Sequence, residues 1–274
     1  MIGAPAPYSG KGEECPAPSG KAMLPQRLLV STLLNNCSRE SIRSAYNAHR
    51  KRRTLGGQVG KDVRIVCLAN SRKAGDRCIA GIDVDSAEWV RPISRRMSEA
   101  VSVTERQYAN RVEPRVLDVI SMRLTEKRSD GFQHENWLLD STVQWEKVGR
   151  VDWEDLCLLE QQPEDLWING YSSWGGLNNR IPVDRQEEIS DSLALIRVDR
   201  VRISEDNYAH FRYMGSRYAI KLTDPVYEER MRVNGNASQR LGESFITVSL
   251  GKEWIGYFYK LAAAIIERTE IESG

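Results

Sequence analysis

From Arg64 onward the sequence breaks into short runs rich in branched residues, each closed by a turn signal, and that texture confines the chain to β architecture. The runs "RIVCLA", "RCIAGIDV" and "EWVRPI" are separated by Asn70-Ser71, by Gly75-Asp76 and by the polar stretch from Asp83 to Ala87. In "RVLDVISMRLTEK", Val119, Ser121 and Arg123 alternate with Ile120, Met122 and Leu124, the pattern of a half-buried strand. Between these, "VSVTERQYANRV" carries a short helical signal. Roughly five strands are expected by Trp145.

The texture changes in "VDWEDLCLLEQQPEDLWINGYSSWGGLNNRIP". Leu156 and Leu159 among carboxylates predict one or two helical turns, stopped at Pro163, and Gly170, Gly175 and Gly176 then predict a loop. Strand signals resume near Ser192. "IRVDRVRISED" alternates, "AHFRYMGSRYAIKLTDP" reads as a hairpin about Gly215-Ser216, and "ESFITVSLG" is another strand. "IGYFYKLAAAIIERTEI" is expected to enter a strand at Tyr257 because of its aromatic and β-branched content. Two small β-barrels in tandem account for this strand count.

Residues 1–60 hold Pro5, Pro7, Pro16, Pro18 and Pro25 and end in the basic run "HRKRRTLGGQVGK". Such a segment buries too little apolar surface to offset ordering entropy, so a disordered basic extension is expected, with a short helical signal in "SRESIRSAYNAHRKRR" capped by Ser38. The expected organisation is therefore all-β with minor helix. It comprises an extension over 1–60, a first barrel over 61–150, a helical and loop connector over 151–191 and a second barrel over 192–274.

A formal net charge of +1 excludes a globally basic nucleic-acid binder but permits a local basic groove. No apolar run reaches the length of a bilayer span, and the N-terminus lacks the pattern of an export signal. Five cysteines at irregular spacing argue against a disulfide framework and fit a reducing cytoplasm. There is no phosphate loop, dinucleotide fingerprint or His-Glu-x-x-His motif, so neither a cofactor nor a metal is expected, and Cys67 reads as a small core residue.

Two groups of residues invite a functional reading. His134 and Glu135 in "GFQHENWLLD" have the types of a base and its partner, but neighbouring strand residues face opposite ways, so a polar turn before Trp137 is expected. Arg72, Lys73 and Arg77 cluster about the tip that follows Asn70 and Ser71, and Trp89 and Arg91 share one face of a strand. An indole beside a guanidinium suits a nucleobase stacked above a phosphate. Asp224, ahead of Pro225, reads as a capping residue.

The ordered set "IVCLANSRKAGDRCIAGI", "EWVRPIS", "QHENWLL", "LTDPVYE" and "SLGKEWIGYFYKLAAAII" resembles the dual OB-containing domain of bacterial proteins, a family associated with defence and conflict systems. The resemblance covers Lys61 to Ile266 and implies two OB-type barrels that bind nucleic acid or nucleotide, with no established reaction. Cys67, Asn70, Ser71, Cys78, Trp89, Arg91 and Pro92 match its first signature, and Gln133, Glu135, Asn136 and Trp137 its middle one; His134 stands where the pattern carries Pro. The resulting expectation is a non-enzymatic module for nucleic acid, single strands foremost, acting as a sensor or adaptor beside an effector protein. Arg72, Lys73, Arg77 and Arg91 would meet phosphate, Trp89 a base, and Asn70 and Gln133 polar edges, with Ser71, Glu135, Asn136 and Trp137 completing the set. The alternatives are a nucleotide- or nucleic-acid-processing enzyme using His134 with Glu135 or Asp224, and a protein-interaction scaffold.

Overall fold

The apolar run that opens the first unit becomes a long strand buried on both faces, and the architecture follows from what covers each face. In the computed structural model, which describes residues 60–272, strand β1 (Lys61–Lys73) has consecutive buried residues from Ile65 to Ala69. Val63, Ile65 and Cys67 point into one core with Ile79, Ile120 and Trp145, while Val66 and Leu68 point into another. A strand sandwiched in this way is apolar without alternation, as "RIVCLA" is.

The first sheet holds β1, β2 (Asp76–Asp83), β3 (Trp89–Ile93), β4 (Asp118–Lys127), β5 (Asn136–Leu139) and β6 (Glu146–Arg150). Its order is β1-β2-β3-β5-β4-β6, and β1 also pairs with β4, so the first five strands close into a ring. The β3–β5 pair is parallel. A four-residue helix, α1 (Val103–Arg106), lies between β3 and β4.

The second sheet comprises β7 (Arg180–Pro182), β8 (Leu193–Val198), β9 (Val201–Ile203), β10 (Tyr208–Tyr213), β11 (Ser216–Leu222), β12 (Gln239–Leu241), β13 (Ser244–Trp254) and β14 (Tyr257–Glu267). Its order is β12-β9-β10-β11-β14-β13-β8, with β7 added on β14. Only Asp199 and Arg200 separate β8 from β9, so the path returns on itself through that bend, and β11 runs parallel to β14. With β8 and β9 counted as one bent strand and β12 set aside, both units share one connectivity: three antiparallel strands, then a parallel contact between the third and fifth. This is the pair of OB-type barrels that the resemblance implies. Helix α3 (Pro225–Val233) follows β11. Asp224 caps it by accepting from the Val226 amide at 2.9 Å, and its other oxygen accepts from the Ile265 amide of β14 at 3.0 Å.

The barrels share a core. Val66 and Leu68 of the first meet Leu195, Phe245 and Ile266 of the second, and helix α2 (Trp153–Leu159) contributes Trp153 and Leu156. The Trp153 and Phe245 rings lie 4.8 Å apart, and Thr247 donates to the Leu68 carbonyl at 2.6 Å.

Two turns differ from expectation. Asn70-Ser71 is no turn: β1 continues through both to Lys73, pairing Asn70 with Ile79 and Arg72 with Arg77. The chain reverses at Ala74 and Gly75, whose φ angles of 48° and 85° match a two-residue hairpin turn. The β10–β11 turn falls at Met214-Gly215, one residue ahead of the expected Gly215-Ser216, and the strand entering at Tyr257 falls where the sequence predicts it. The expected basic extension over 1–60 and its Ser38-capped helix lie, except for Gly60, outside the described residues. Among the described residues no helix is long and apolar enough to cross a membrane.

Candidate functional site

The second barrel lies against the outer face of β2 and β3, and it covers Trp89 and Arg91 there. Trp89 packs on Ala69, Ala80, Leu193 and Ala263, and its indole donates to Gln161 Oε1 at 3.0 Å. Arg91 is 3% exposed. Its guanidinium sits 2.9 Å from Glu135 Oε1 and 3.0 Å from Ser192 Oγ, and Ser192 donates in turn to Glu135 Oε1 at 2.5 Å. Gln133 donates to the Leu250 carbonyl at 3.2 Å and accepts from Asn136 Nδ2 at 3.3 Å. The expectation that Trp89 meets a base and Arg91 a phosphate is therefore corrected: Trp89 is half-buried against the second barrel and Arg91 is buried. Arg91, Gln133, Glu135 and Asn136 form a buried polar clamp whose partners Ser192 and Leu250 belong to the second barrel.

The remaining expected residues do not gather at one place. Asn70 donates to the Pro114 carbonyl at 2.8 Å, and Ser71 is buried and donates weakly to the Cys78 carbonyl at 3.4 Å. Arg72 is ion-paired with Glu228, and Lys73 with Glu99 at 3.4 Å. Arg77 is half-buried; burial first, and the neighbouring Arg106 and Arg72 next, lower its pKa. Trp137 packs on the first core, with the Lys61 ammonium 5.7 Å from its ring. His134 is exposed while Glu135 is buried against Arg91, so they form no dyad. Among the described residues no three His, Cys, Asp or Glu side chains gather as metal ligands.

An open face exists on the second barrel. In β10, Ala209, Phe211 and Tyr213 are buried while Tyr208, His210 and Arg212 face outward; in β11, Tyr218, Ile220 and Leu222 are buried while Arg217 and Lys221 are exposed. Phe211 and Tyr218 stack beneath this face with centroids 5.4 Å apart, fixing the register that turns the cations out. Arg240 of β12 lies opposite Arg202 of β9, Arg202 opposite His210 of β10, and Arg212 opposite Arg217. A surface hollow of about 890 Å³ is lined by these side chains with Arg200, and Asp199 is its one carboxylate.

Arg200, Arg202, Arg212, Arg217 and Arg240 have no ion-pair partner among the described residues. Other arginines are ion-paired, among them Arg96 with Asp76 at 2.5 Å, Arg106 with Glu113 at 2.8 Å and Arg197 with Glu160 at 3.1 Å. Like charges directly opposite across a sheet destabilise it, and the pairs Arg240–Arg202 and Arg212–Arg217 place such charges on neighbouring strands. His210 is half-buried, and burial first, Arg202 second, lower its pKa against the pull of Asp206. The Lys221 ammonium lies 5.0 Å from the Tyr208 ring centroid and donates to the Asp206 carbonyl at 2.7 Å. The sequence signal for this site was available: arginine fills outward positions in "VDRVRI", "HFRY" and "GSRY".

A family model described as the dual OB-containing domain matches residues 63–265, a span that takes in both barrels and the segment between them. No curated protein and no solved structure matches the chain.

Proposed function

The chain belongs to the dual OB-containing domain family, and on that premise we propose that it is a nucleic-acid-binding module whose working surface is the arginine face of the second barrel. OB folds bind oligonucleotides on the face of their second and third strands, which here are β10 and β11. The observation that carries the reading is the row of arginines without carboxylate partners on that face. Each guanidinium offers a planar fork of donors to phosphate.

In this reading the residues first singled out on the first barrel serve architecture: Arg91, Gln133, Glu135 and Asn136 clamp the barrels, and Arg72 and Lys73 neutralise carboxylates. The module acts by binding without turnover, since the hollow holds one imidazole among arginines and no nucleophile beside a base. A role as cytoplasmic sensor or adaptor beside an effector protein in a bacterial conflict system completes the proposal, on the strength of the family resemblance.

The test is a fluorescence-polarisation titration of the full chain with a labelled oligonucleotide over a series of salt concentrations. Lys and Arg contacts to phosphate release counterions, so log affinity should fall linearly with log salt. Arg202→Ala with Arg240→Ala should weaken binding and reduce the slope by about 0.7 per lost contact on a single strand. An unchanged slope and affinity in that double variant refutes the assignment.

A further inference from the structure

The loop over residues 170–179, "GYSSWGGLNN", is built like a fixed fitting. The Gly170 amide donates to Asn178 Oδ1 at 2.7 Å, and the Ser173 amide to Asn179 Oδ1 at 2.8 Å. Asn179 is itself buried and donates to Ser173 Oγ at 2.7 Å. Gly176 is required, because a Cβ there would lie 2.2 Å from Asn179 Nδ2 and 2.9 Å from the Ala219 carbonyl.

This fixed loop is joined to the strand that carries Arg217. Leu177 and Ala219 exchange both backbone hydrogen bonds at 3.0 Å, and Asn178 Nδ2 donates to the Arg217 carbonyl at 3.0 Å. Leu177 lines the arginine hollow. The Cβ direction of Gly175 points within 3.2 Å of the Tyr208 hydroxyl, and Tyr208 shares its outward face with His210 and Arg212.

At the centre of the loop stands Trp174, whose side chain is fully exposed. Indoles are the largest apolar groups a chain carries, and leaving one wholly in water forgoes a burial worth roughly 1.5–3 kcal/mol. A disordered tip could shed such a residue anywhere, but here the backbone on both sides is pinned by side-chain hydrogen bonds. The adjoining hollow is lined by five arginines and one histidine against a single carboxylate, Asp199, and that excess of positive charge selects a polyanion as the occupant. Among polyanions, only a strand with unpaired bases offers a flat π surface next to its phosphates.

Resting on the reading above, we infer that Trp174 stacks on an unpaired base of the strand whose phosphates the arginine face holds, so that the module selects single-stranded over duplex nucleic acid. The arginines bind either form through its backbone, whereas a paired base keeps its faces inside the duplex stack. The selection therefore belongs to the loop and the affinity common to both forms to the sheet.

The experiment compares wild type, Trp174→Ala and Trp174→Phe for binding a labelled oligothymidylate of about 15 nucleotides, within the range of OB site sizes, and a duplex of the same length. Trp174→Ala should lose roughly 5- to 150-fold in single-strand affinity, the worth of one base stack, with duplex affinity unmoved. Trp174→Phe should keep most of it. Tryptophan emission should be quenched on binding by the wild type and much less by Trp174→Phe. Equal single-strand affinity in Trp174→Ala overturns this inference, as does an equal loss on duplex, while weakened Arg202→Ala/Arg240→Ala binding would still uphold the proposed function. If the wild type binds neither oligonucleotide but captures a protein instead, both readings fall.

Discussion

His210 occupies the middle of the cationic row, and its proton is the most informative one on the face. Arg202 lies directly across from it on β9, Ala219 on β11, and Tyr208 and Arg212 flank it on its own strand; Asp206 is the nearby carboxylate. Unliganded, its imidazole titrates below its ordinary value because burial and Arg202 both disfavour the cation. A bound phosphate reverses the second cause, so the bound-state pKa lies above the free one. Affinity should therefore strengthen as pH falls through the bound-state pKa and level off below the free-state value. Titrations between about pH 5 and 8 should show that rise in the wild type and a flat profile in His210→Gln; parallel profiles would remove His210 from the site. Other residues show how far sequence reaches at this scale. The spacing of Trp89 and Arg91 puts both on one face of β3, but whether water or protein covers that face depends on Leu193, Ser192 and Ala263, a hundred or more positions away in the chain. The outward arginines of β9, β10 and β11 follow from the same alternation rule, and only their lack of carboxylate partners is set by the tertiary fold.

Alternation also made most elements readable: β4, the β10–β11 hairpin and the entry of β14 at Tyr257 follow directly from it. It failed where side chains overrode local preference. Asn70 stays in β1 because its amide finds the Pro114 carbonyl, and the reversal moves to Ala74-Gly75. Lys260 is a second such case, a lysine at an inward position of β14 with no exposed surface. Its ammonium donates to the Ile168 carbonyl at 2.8 Å and Asn169 Oδ1 at 3.1 Å, lies 5.4 Å from the Tyr218 ring, and has no ion-pair partner among the described residues. It thus fastens the connector, just ahead of the Trp174 loop, to the barrel. Burial pulls its pKa from 10.5 to about 7, with Asp165 opposing. The unfolded chain therefore holds the proton more firmly, and between about pH 7 and 10.5 stability should rise with pH, by at most about 1.4 kcal/mol per unit. Below that window both states are protonated and the slope disappears. Urea midpoints measured between about pH 7 and 9, before the unfolded chain's thiol and phenols ionise, should climb more steeply in the wild type than in Lys260→Met. A wild-type slope no steeper than the variant's would mean that the amine is solvated.

At the scale of the whole molecule, the docking of the two barrels decides which binding face stays open. The first barrel's second and third strands meet Leu193 and Ala263, and Arg91 reaches Ser192 and Ser249, so that barrel's usual ligand face is an internal interface. The second barrel's β10 and β11 remain outside it. Nothing in either half of the sequence announces this asymmetry, because the halves carry similar strand patterns and only their contact distinguishes them. The clamp offers a direct test. A buried ion pair adds little over a well-packed apolar pair, but removing one partner leaves an uncompensated charge and costs about 3–5 kcal/mol. Glu135→Leu strands Arg91 beside Ser192, and should lower unfolding stability by that amount. Adding Arg91→Met removes the orphaned guanidinium and should recover most of the loss. Since Val66, Leu68, Phe245 and Ile266 form one cluster, unfolding of the wild type should be a single transition. If Glu135→Leu instead splits it in two, the pair is what couples the barrels; if the double variant is no more stable than the single one, Arg91 is not held by Glu135. Either way the oligonucleotide affinity of the folded double variant, measured against the intact arginine face, reports whether the clamp shapes that face or only closes the other.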